Sequence, residues 1–466
     1  MESKLAVVIM AAGKGTRLKS QRPKVLHEIG GKPLLGHVIA AASKIVAPSE
    51  IYAVIGHQAE RVRKAVEATG ISFVEQAEQL GTGHAIQCCR EAIAGYENVL
   101  VLSGDVPLIR PETIEQVWQF HQSEQAAMTI LTAAPEDPTG YGRIVRRAAG
   151  SADVEAIVEQ KALTNEQQGI REINSGIYAF KTASLLKQLD KLNANNANKE
   201  IILTEVASLL RAAGERVVAL QAAEAVEVLG ANTIAELVTL DATLRAATAN
   251  RLMAQGVTIF RPETCMIDSE VEVGPDTVIE PFVQLRGQTR IGSECLIRSY
   301  SVIDNCTLGD GVLLLPSCIL ADSTVSNGAK IGPFSHLRPG SEIGEDAHVG
   351  NFVETKKTKL GKGAKANHLS YLGDAEVGEK SNIGAGTITC NYDGFKKHMT
   401  HIGRGVFVGS DSTLVAPVTI EDGAYIGAGS CITKTVSADA LAMSRVPQTA
   451  RQGWAAAWRA LHKKKE

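Results

Sequence analysis

The chain has 466 residues, a net charge of −3, 44% hydrophobic and 21% charged residues. That length predicts two to four domains with full cores, and the composition excludes a mostly disordered chain. The near-neutral balance argues against a nucleic-acid partner or a polybasic membrane protein, and no apolar run approaches the ~18 residues that mark a spanning helix.

The apolar run Leu5–Met10 is too short for a secretory signal and reads as a buried strand, so the chain is expected in the cytoplasm. Ile51–Ile55 and Asn98–Ser103 are further strands of this kind, and Leu34–Ile45 and Ala59–Ala68 read as helices. The alternation over residues 5–230 predicts an α/β, Rossmann-like fold: a mostly parallel sheet with helices on both faces. Its ligands should bind beyond the carboxyl ends of the strands. The loop Met10-Ala-Ala-Gly-Lys-Gly-Thr-Arg17 is not the dinucleotide fingerprint, because Leu18 stands at the third glycine position, and its spacing is not that of a P-loop. Its backbone N–H groups, with Lys14, Arg17 and the nearby Lys24, still suit a chain of phosphates. Asp105, at the end of the strand Asn98–Ser103, is either a metal ligand or a turn and cap residue.

The stretch Thr233–Gln255 holds no glycine or proline and predicts one connecting helix, with Asn232 as N-cap and Gly256 just past its end. From about Val271 a six-residue period takes over. Ile331, Leu337, Ile343 and Val349 are in step, as are Val377 and Ile383, and then every sixth residue from Ile402 to Ile432. A small or β-branched residue follows four places on, as at Ser335, Ser341, Ala347 and Val353. This pattern predicts a three-sided solenoid of short parallel strands, a left-handed parallel β-helix. The period breaks at Thr355–Lys359 and at Asn391–Thr400, where insertions would mark a binding face. Cysteines at 88, 89, 265, 295, 306, 318, 390 and 431 lack C-x-x-C spacing and are expected to be reduced packing residues. The end, from Trp454, reads as a short Trp/Ala helix with a solvated basic tail. Such a solenoid can be a scaffold alone, and a lone histidine such as His368 is structural more often than catalytic.

Met10–Arg17, Pro23-Lys24, Glu75–His84, Gly104–Pro107, Thr139–Arg143, Ile157–Glu159 and Glu172–Gly176 together resemble a nucleotide-sugar pyrophosphorylase. Arg338-Pro-Gly, Asn351–Lys357, Asn367–Asp374, Gly384–Gly394 and Ser444–Thr449 extend the likeness. From about residue 5 to 455 the chain resembles the bacterial bifunctional N-acetylglucosamine-1-phosphate uridyltransferases and glucosamine-1-phosphate acetyltransferases. The resemblance implies a pyrophosphorylase domain over 1–232, a linker helix over 233–255 and an acetyltransferase β-helix over 256–466. It implies two reactions that supply peptidoglycan and lipopolysaccharide precursors: acetylation of glucosamine 1-phosphate by acetyl-CoA, then UMP transfer from UTP to the product.

By position in these motifs, Met10, Ala11, Ala12, Gly13, Ser103 and Gly104 would face the nucleotide, and Arg17 and Lys24 would stabilise the transferring phosphates. Gln76, Gly81 and Thr82 would read uracil and ribose; Gly142, Glu159 and Asn174 would hold the sugar. Asp105 and Asn232 would bind Mg2+. Glu205, where the family has aspartate, is assigned no role. In the second half His368 would be the general base, Arg338 and Lys356 would clamp the sugar phosphate, and Tyr371 and Asn382 would complete that site. Asn391 and Tyr392 would contact the oxyanion or the pantetheine arm, with Ala385, Ser410, Ala428 and Arg445 along coenzyme A. Direct transfer is expected, since Cys390 is the only cysteine in these motifs, and a homotrimer is implied. Two other readings are a nucleotidyltransferase on a scaffold solenoid and a non-catalytic sugar-nucleotide sensor. The set Arg338, Lys356, His368 and Tyr371 argues against the first; Arg17, Lys24 and Asp105 argue against the second.

Overall fold

A computed structural model describes residues 4–194 and 200–462, so the basic tail read at 463–466 lies outside the described residues. The chain divides into two units, Met1–Leu244 and Arg245–Glu466. The strands of the first are β1 (Leu5–Met10), β2 (Ile51–Ile55), β3 (Ser72–Glu75), β4 (Asn98–Ser103), β5 (Met128–Ala133), β6 (Arg143–Arg146), β7 (Val154–Val158), β8 (Ile173–Lys181) and β9 (Val217–Gln221). The main sheet runs β9-β5-β8-β4-β1-β2-β3, with β6 and β7 appended to β8. Every neighbour pair in it is parallel except those made by β8, which lies antiparallel between β5 and β4. Both faces are covered, which is why β1 is apolar throughout and β4 is apolar from Val99 to Leu102. Helices α1 (Leu34–Ala42), α2 (Ala59–Val66) and α4 (Pro111–Ser123) pack on the face that carries Val7 and Ile9. On the face of Ala6 and Val8 lie α3 (Thr82–Cys88), α5 (Thr182–Leu189) and α6 (Glu205–Ala212).

Helix α7 runs Ile234–Ala254. Leu240 is buried in a small cluster with Ile29, Leu34 and Ala231, while Ala249 and Leu252 belong to the core of the second unit. Its N-cap is Thr233, whose hydroxyl accepts from Glu236 N, while Glu236 accepts from the backbone of Asn232 and Thr233. This corrects the expectation for Asn232: the capping box lies one residue later, and the Asn232 carboxamide is left for other partners.

The second unit is a parallel β-helix. Three ladders of short strands stack in register, through Ile279↔Ile297, Leu285↔Ile303 and Ile291↔Leu308, in coils of 17 or 18 residues. Ile331, Leu337, Ile343 and Val349 are buried in one continuous core, together with Ala347 and Val353 four places after Ile343 and Val349. Thr355–Lys359 is not an insertion. It lies within one strand, Glu354–Leu360, that passes through a corner; Thr355 turns inward where Leu337 and Leu372 stand in the neighbouring coils, and Thr358 takes the small-residue place of Ser341 and Ala375. Their hydroxyls are satisfied by Ser341 and by the Leu372 carbonyl. Asn391–Thr400 does leave the coil as a loop, with Phe395 92% exposed at its tip. All eight cysteines are free; Cys431 is exposed rather than packed, since its neighbour Ile432 takes the inward position.

Each coil turns its corners through residues with positive φ, and those corners stack into columns. One column holds Asp276, Glu294, Gly311, Gly328 and Asp346; another holds Gly287, Asn305, Asp322, Gly340 and Lys357. The third holds Phe282, Tyr300, Ser317, Phe334, Phe352 and Leu369. Its large apolar members are all exposed, with Phe282 stacked on Tyr300 and Phe334 on Phe352. Bulky side chains are disfavoured in this conformation by ~1–2 kcal/mol per residue. After the last coil, α8 (Trp454–Leu461) buries no side chain, and Trp454 stacks on Trp458. Among the described residues no helix is long and apolar enough to cross a membrane.

Candidate active sites

The first site lies beyond the carboxyl ends of β1 and β4, where Gly104 N bonds Met10 O at 3.0 Å. The loop after β1 folds back at Gly15, whose φ is +62°; a Cβ there would stand 2.6 Å from the Lys24 Cβ, so only glycine fits. A cavity of about 500 Å³ opens between them. Met10, Ala11, Ala12, Gly13, Lys24, Gln76, Gly81, Thr82, Ser103 and Asp105 all line it. Gly81 has φ +116°, and a Cβ on it would meet the Ile201 carbonyl oxygen at 2.4 Å. The turn is pinned further by Gln76 Nε2 donating to Gly81 O and by Thr82 Oγ1 accepting from Leu203 N.

At one end of this cavity Lys24 Nζ is ion-paired with Asp105 and donates to Asn232 Oδ1 at 2.9 Å. Arg17 donates to the same Asn232 oxygen at 2.7 Å, and Ser103 Oγ to Asp105 Oδ1 at 2.6 Å. Burial alone would raise the Asp105 carboxyl. The charge and hydrogen bond of Lys24, then the Ser103 hydroxyl, hold it below the ordinary carboxylate range. The two oxygens therefore already share one cation, the Lys24 ammonium, and a hard divalent ion suits the same donor pair. Among the described residues there is no cluster of three His, Cys, Asp or Glu that would hold a metal unaided. Such an ion would take its remaining ligands from water or a bound phosphate.

Gly142, just before β6, Glu159, just after β7, and Asn174 on β8 come together: Asn174 N donates to Gly142 O at 2.9 Å, and Glu159 lies beside the open side of Gly142. Two residues that no sequence role covered join these groups. Thr204 Oγ1 reaches Glu159 at 3.4 Å and continues the segment that docks on Gly81 and Thr82. Tyr141 is half-buried near Asp105, with a hydrogen bond to the Gly230 backbone. Glu205 begins α6.

The second site is a set of columns on the β-helix. Leu337↔Thr355 are in register, which places Arg338 directly below Lys356, and Lys356 pairs in turn with Gly373. A Cβ on Gly373 would strike the Tyr371 hydroxyl and Asn391 Nδ2, so this glycine lets both come together above the cations. Arg338 is held by Glu354 at 2.8 Å. Lys356 is pushed below its ordinary pKa, first by the neighbouring Lys397 of the inserted loop, then by burial, with the charge of Arg338 adding to it. Three cations crowded at one point make an anion site. Glu354 and Lys397 carried no sequence assignment; the loop insertion was the only signal for Lys397.

Around the corner, Asn351↔His368 form the next column. Two residues past the pair Ala366↔Ile383 stand His368 and Ala385, and the ladder continues to Ser410 and Ala428 through Asp411 N to Ala385 O and Gly429 N to Ser410 O. Arg445 donates to Ala428 O at 2.9 Å. His368 thus stands at the foot of a column of small residues. Tyr392 is exposed, but Asn391 is buried with its Nδ2 on Asp374 and its carbonyl on His398 N, so it braces the loop. Asn382 lies on the neighbouring face, between Lys365 and Phe407, and no hydrogen bond among the described residues ties it to His368 or Tyr371.

The MobA-like NTP transferase domain family matches residues 7–254, and the bacterial transferase hexapeptide family matches 322–357 and 399–434. The chain is 61% identical to the bifunctional protein GlmU of Koribacter versatilis over 99% of both chains. It is 47% identical to that of Solibacter usitatus over 99% of both, and 45% identical to that of Pelobacter propionicus over 97% of this chain and 98% of that one. The chain belongs to the GlmU family of bifunctional proteins. It is an enzyme, a nucleotidyltransferase followed by a hexapeptide-repeat acyltransferase.

Proposed function

We propose that the chain makes UDP-N-acetylglucosamine in two steps, with residues 1–232 as uridyltransferase, 233–255 as linker and 256–466 as acetyltransferase. What carries this reading is that each unit holds its own cation cluster beside the group its reaction needs. Arg17 and Lys24 stand with Asp105 and Asn232; Arg338, Lys356 and Lys397 stand near His368.

In the β-helix, Arg338 and Lys356 bind the phosphate of glucosamine 1-phosphate, and Tyr371 and Asn382 orient the sugar. His368 takes a proton from the amine as its nitrogen attacks the thioester carbonyl of acetyl-CoA, and CoA leaves as the thiol. Ala385, Ser410 and Ala428 let the cofactor arm lie close to the coils, Tyr392 contacts the arm, and Arg445 meets a CoA phosphate. In the first unit the phosphate oxygen of N-acetylglucosamine 1-phosphate attacks the α-phosphorus of UTP and pyrophosphate leaves, so no protein nucleophile is required. Gly142, Glu159 and Asn174 hold the sugar, Gln76, Gly81 and Thr82 the uridine, and Arg17 and Lys24 the charge on the transferring phosphates. Mg2+ bound by Asp105 and Asn232 with the nucleotide would neutralise further negative charge there. These substrates are intracellular metabolites, which supports a cytoplasmic site of action.

We also infer a homotrimer joined along the third corner column. Phe282, Tyr300, Phe334, Phe352 and Leu369 accept an unfavourable backbone conformation and remain exposed, while the other two columns carry glycine and polar residues. Burial against neighbouring copies offsets that cost. The column passes Phe352 and Leu369, next to Asn351 and His368, so each acetyl site would sit at a seam.

His368→Ala tests the acetyl half. Acetyl transfer should fall by about 10²–10⁴-fold, the usual contribution of a placed general base, with uridyl transfer unchanged. Near-normal turnover in the variant would contradict the assignment.

A further inference from the structure

Asn351 was assigned no role, yet its Oδ1 lies 2.7 Å from His368 Nδ1. The contact is built into the coil. Asn351 and His368 are partners on adjacent parallel strands, and Leu369 N donates to the Asn351 carbonyl. The preceding residue, Gly350, lies so close to the next coil that a Cβ on it would stand 1.9 Å from the Asn367 carbonyl oxygen. Ser335 Oγ holds the Gly350 carbonyl from below at 2.6 Å. The corner is therefore locked at the one place where an asparagine must reach a histidine. No other side chain among the described residues hydrogen-bonds the His368 ring.

We propose that Asn351 is the positioning residue of the acetyl site: its side-chain oxygen accepts from Nδ1–H of His368, which fixes the tautomer whose Nε2 lone pair is free to take the proton of the attacking amine. The inference rests on His368 being the base. An imidazole released from this bond populates both tautomers, and only one of them presents an unprotonated Nε2. Around it lie His348, lowered first by burial and then by Lys330, Lys365 and His368; Lys365 on its own strand; and Glu354, Arg338 and Tyr371 past the corner. All of them stay in place when Asn351 alone is changed.

The test is the pH profile of acetyl transfer for the full-length enzyme with glucosamine 1-phosphate and acetyl-CoA, in wild type, Asn351→Asp, Asn351→Leu and His368→Ala. Aspartate can only accept, so it preserves the tautomer, and its charge favours the imidazolium. Its high-pH kcat should stay within a few-fold of wild type while the acid-side limb, on which transfer rises with pH, moves up by about one unit or more. Asn351→Leu should lose about 10–100-fold in kcat, as second-layer partners of a histidine do, with KM for glucosamine 1-phosphate and uridyl transfer unchanged. Ionisation of the substrate amine is common to all variants and cannot produce a shift in one of them. An unmoved limb in Asn351→Asp, a loss there as large as in Asn351→Leu, or a change in KM alone would overturn the positioning role. Survival of the limb and of turnover in His368→Ala would instead remove the base assignment beneath it.

Discussion

Asp105 shows how one carboxylate is kept ionised in a buried place. Lys24 and Ser103 outweigh desolvation, so its folded-state pKa lies below the unfolded value near ~4. The sign follows: its charge contributes stability above the unfolded pKa, and that contribution is lost as pH falls through the folded one. Uridyl transfer from pH 5 upward should therefore show no limb due to Asp105. Asp105→Asn should slow pyrophosphate release by about 10²–10³-fold and leave CoA release intact. A limb near pH 5 that vanishes in Asp105→Asn would contradict the shift. Residue types and motif positions made Arg17, Lys24 and Asp105 legible from the sequence. Tyr141, Thr204 and Asn351 were not, because each matters through a contact across strands or coils that linear spacing does not encode. In sequence Asn232 has the place of a cap because it directly precedes a helix; the capping box starts one residue later, at the second of two polar residues in a row.

Elements were most legible where one physical demand controls them. β1 and β2, and β4 between its terminal Asn98 and Ser103, are apolar because both faces are covered, and their ends match the strands read from the sequence. The six-residue period sets the β-helix core for the same reason. It fails at Thr355–Lys359, where Thr355, its hydroxyl bonded to Ser341, replaces an aliphatic and Leu360 follows after five residues rather than six. α1 stops at Ala42 rather than Ile45, where the Ser43 hydroxyl turns back onto Ile39 O. At this scale the Gly81 turn is the sharpest test. Gly81→Ala introduces both a Cβ clash with Ile201 O and a strained φ, at a cost of about 1–3 kcal/mol. UTP binding followed by titration should weaken at least tenfold, while acetyl transfer stays at the wild-type rate. Wild-type UTP affinity would mean that the turn does not shape the uridine site.

For the whole molecule, the third corner column was invisible in the sequence. Its residues are 17 or 18 apart, and their common backbone conformation appears only in three dimensions. The joint substitution Phe334→Asp and Phe352→Asp should shift the sedimentation coefficient from that of a trimer to a smaller species. It should cost acetyl transfer more than tenfold and spare uridyl transfer per chain. An unchanged trimer would place the interface elsewhere. The two activities are tested together on the purified wild-type chain with glucosamine 1-phosphate, acetyl-CoA, UTP and Mg2+, following CoA and pyrophosphate separately. CoA should appear first and pyrophosphate after it, in equal final amounts, with UDP-N-acetylglucosamine as the product. Pyrophosphate only when N-acetylglucosamine 1-phosphate is added, with no CoA released at all, would reduce the β-helix to a scaffold and contradict the two-site account.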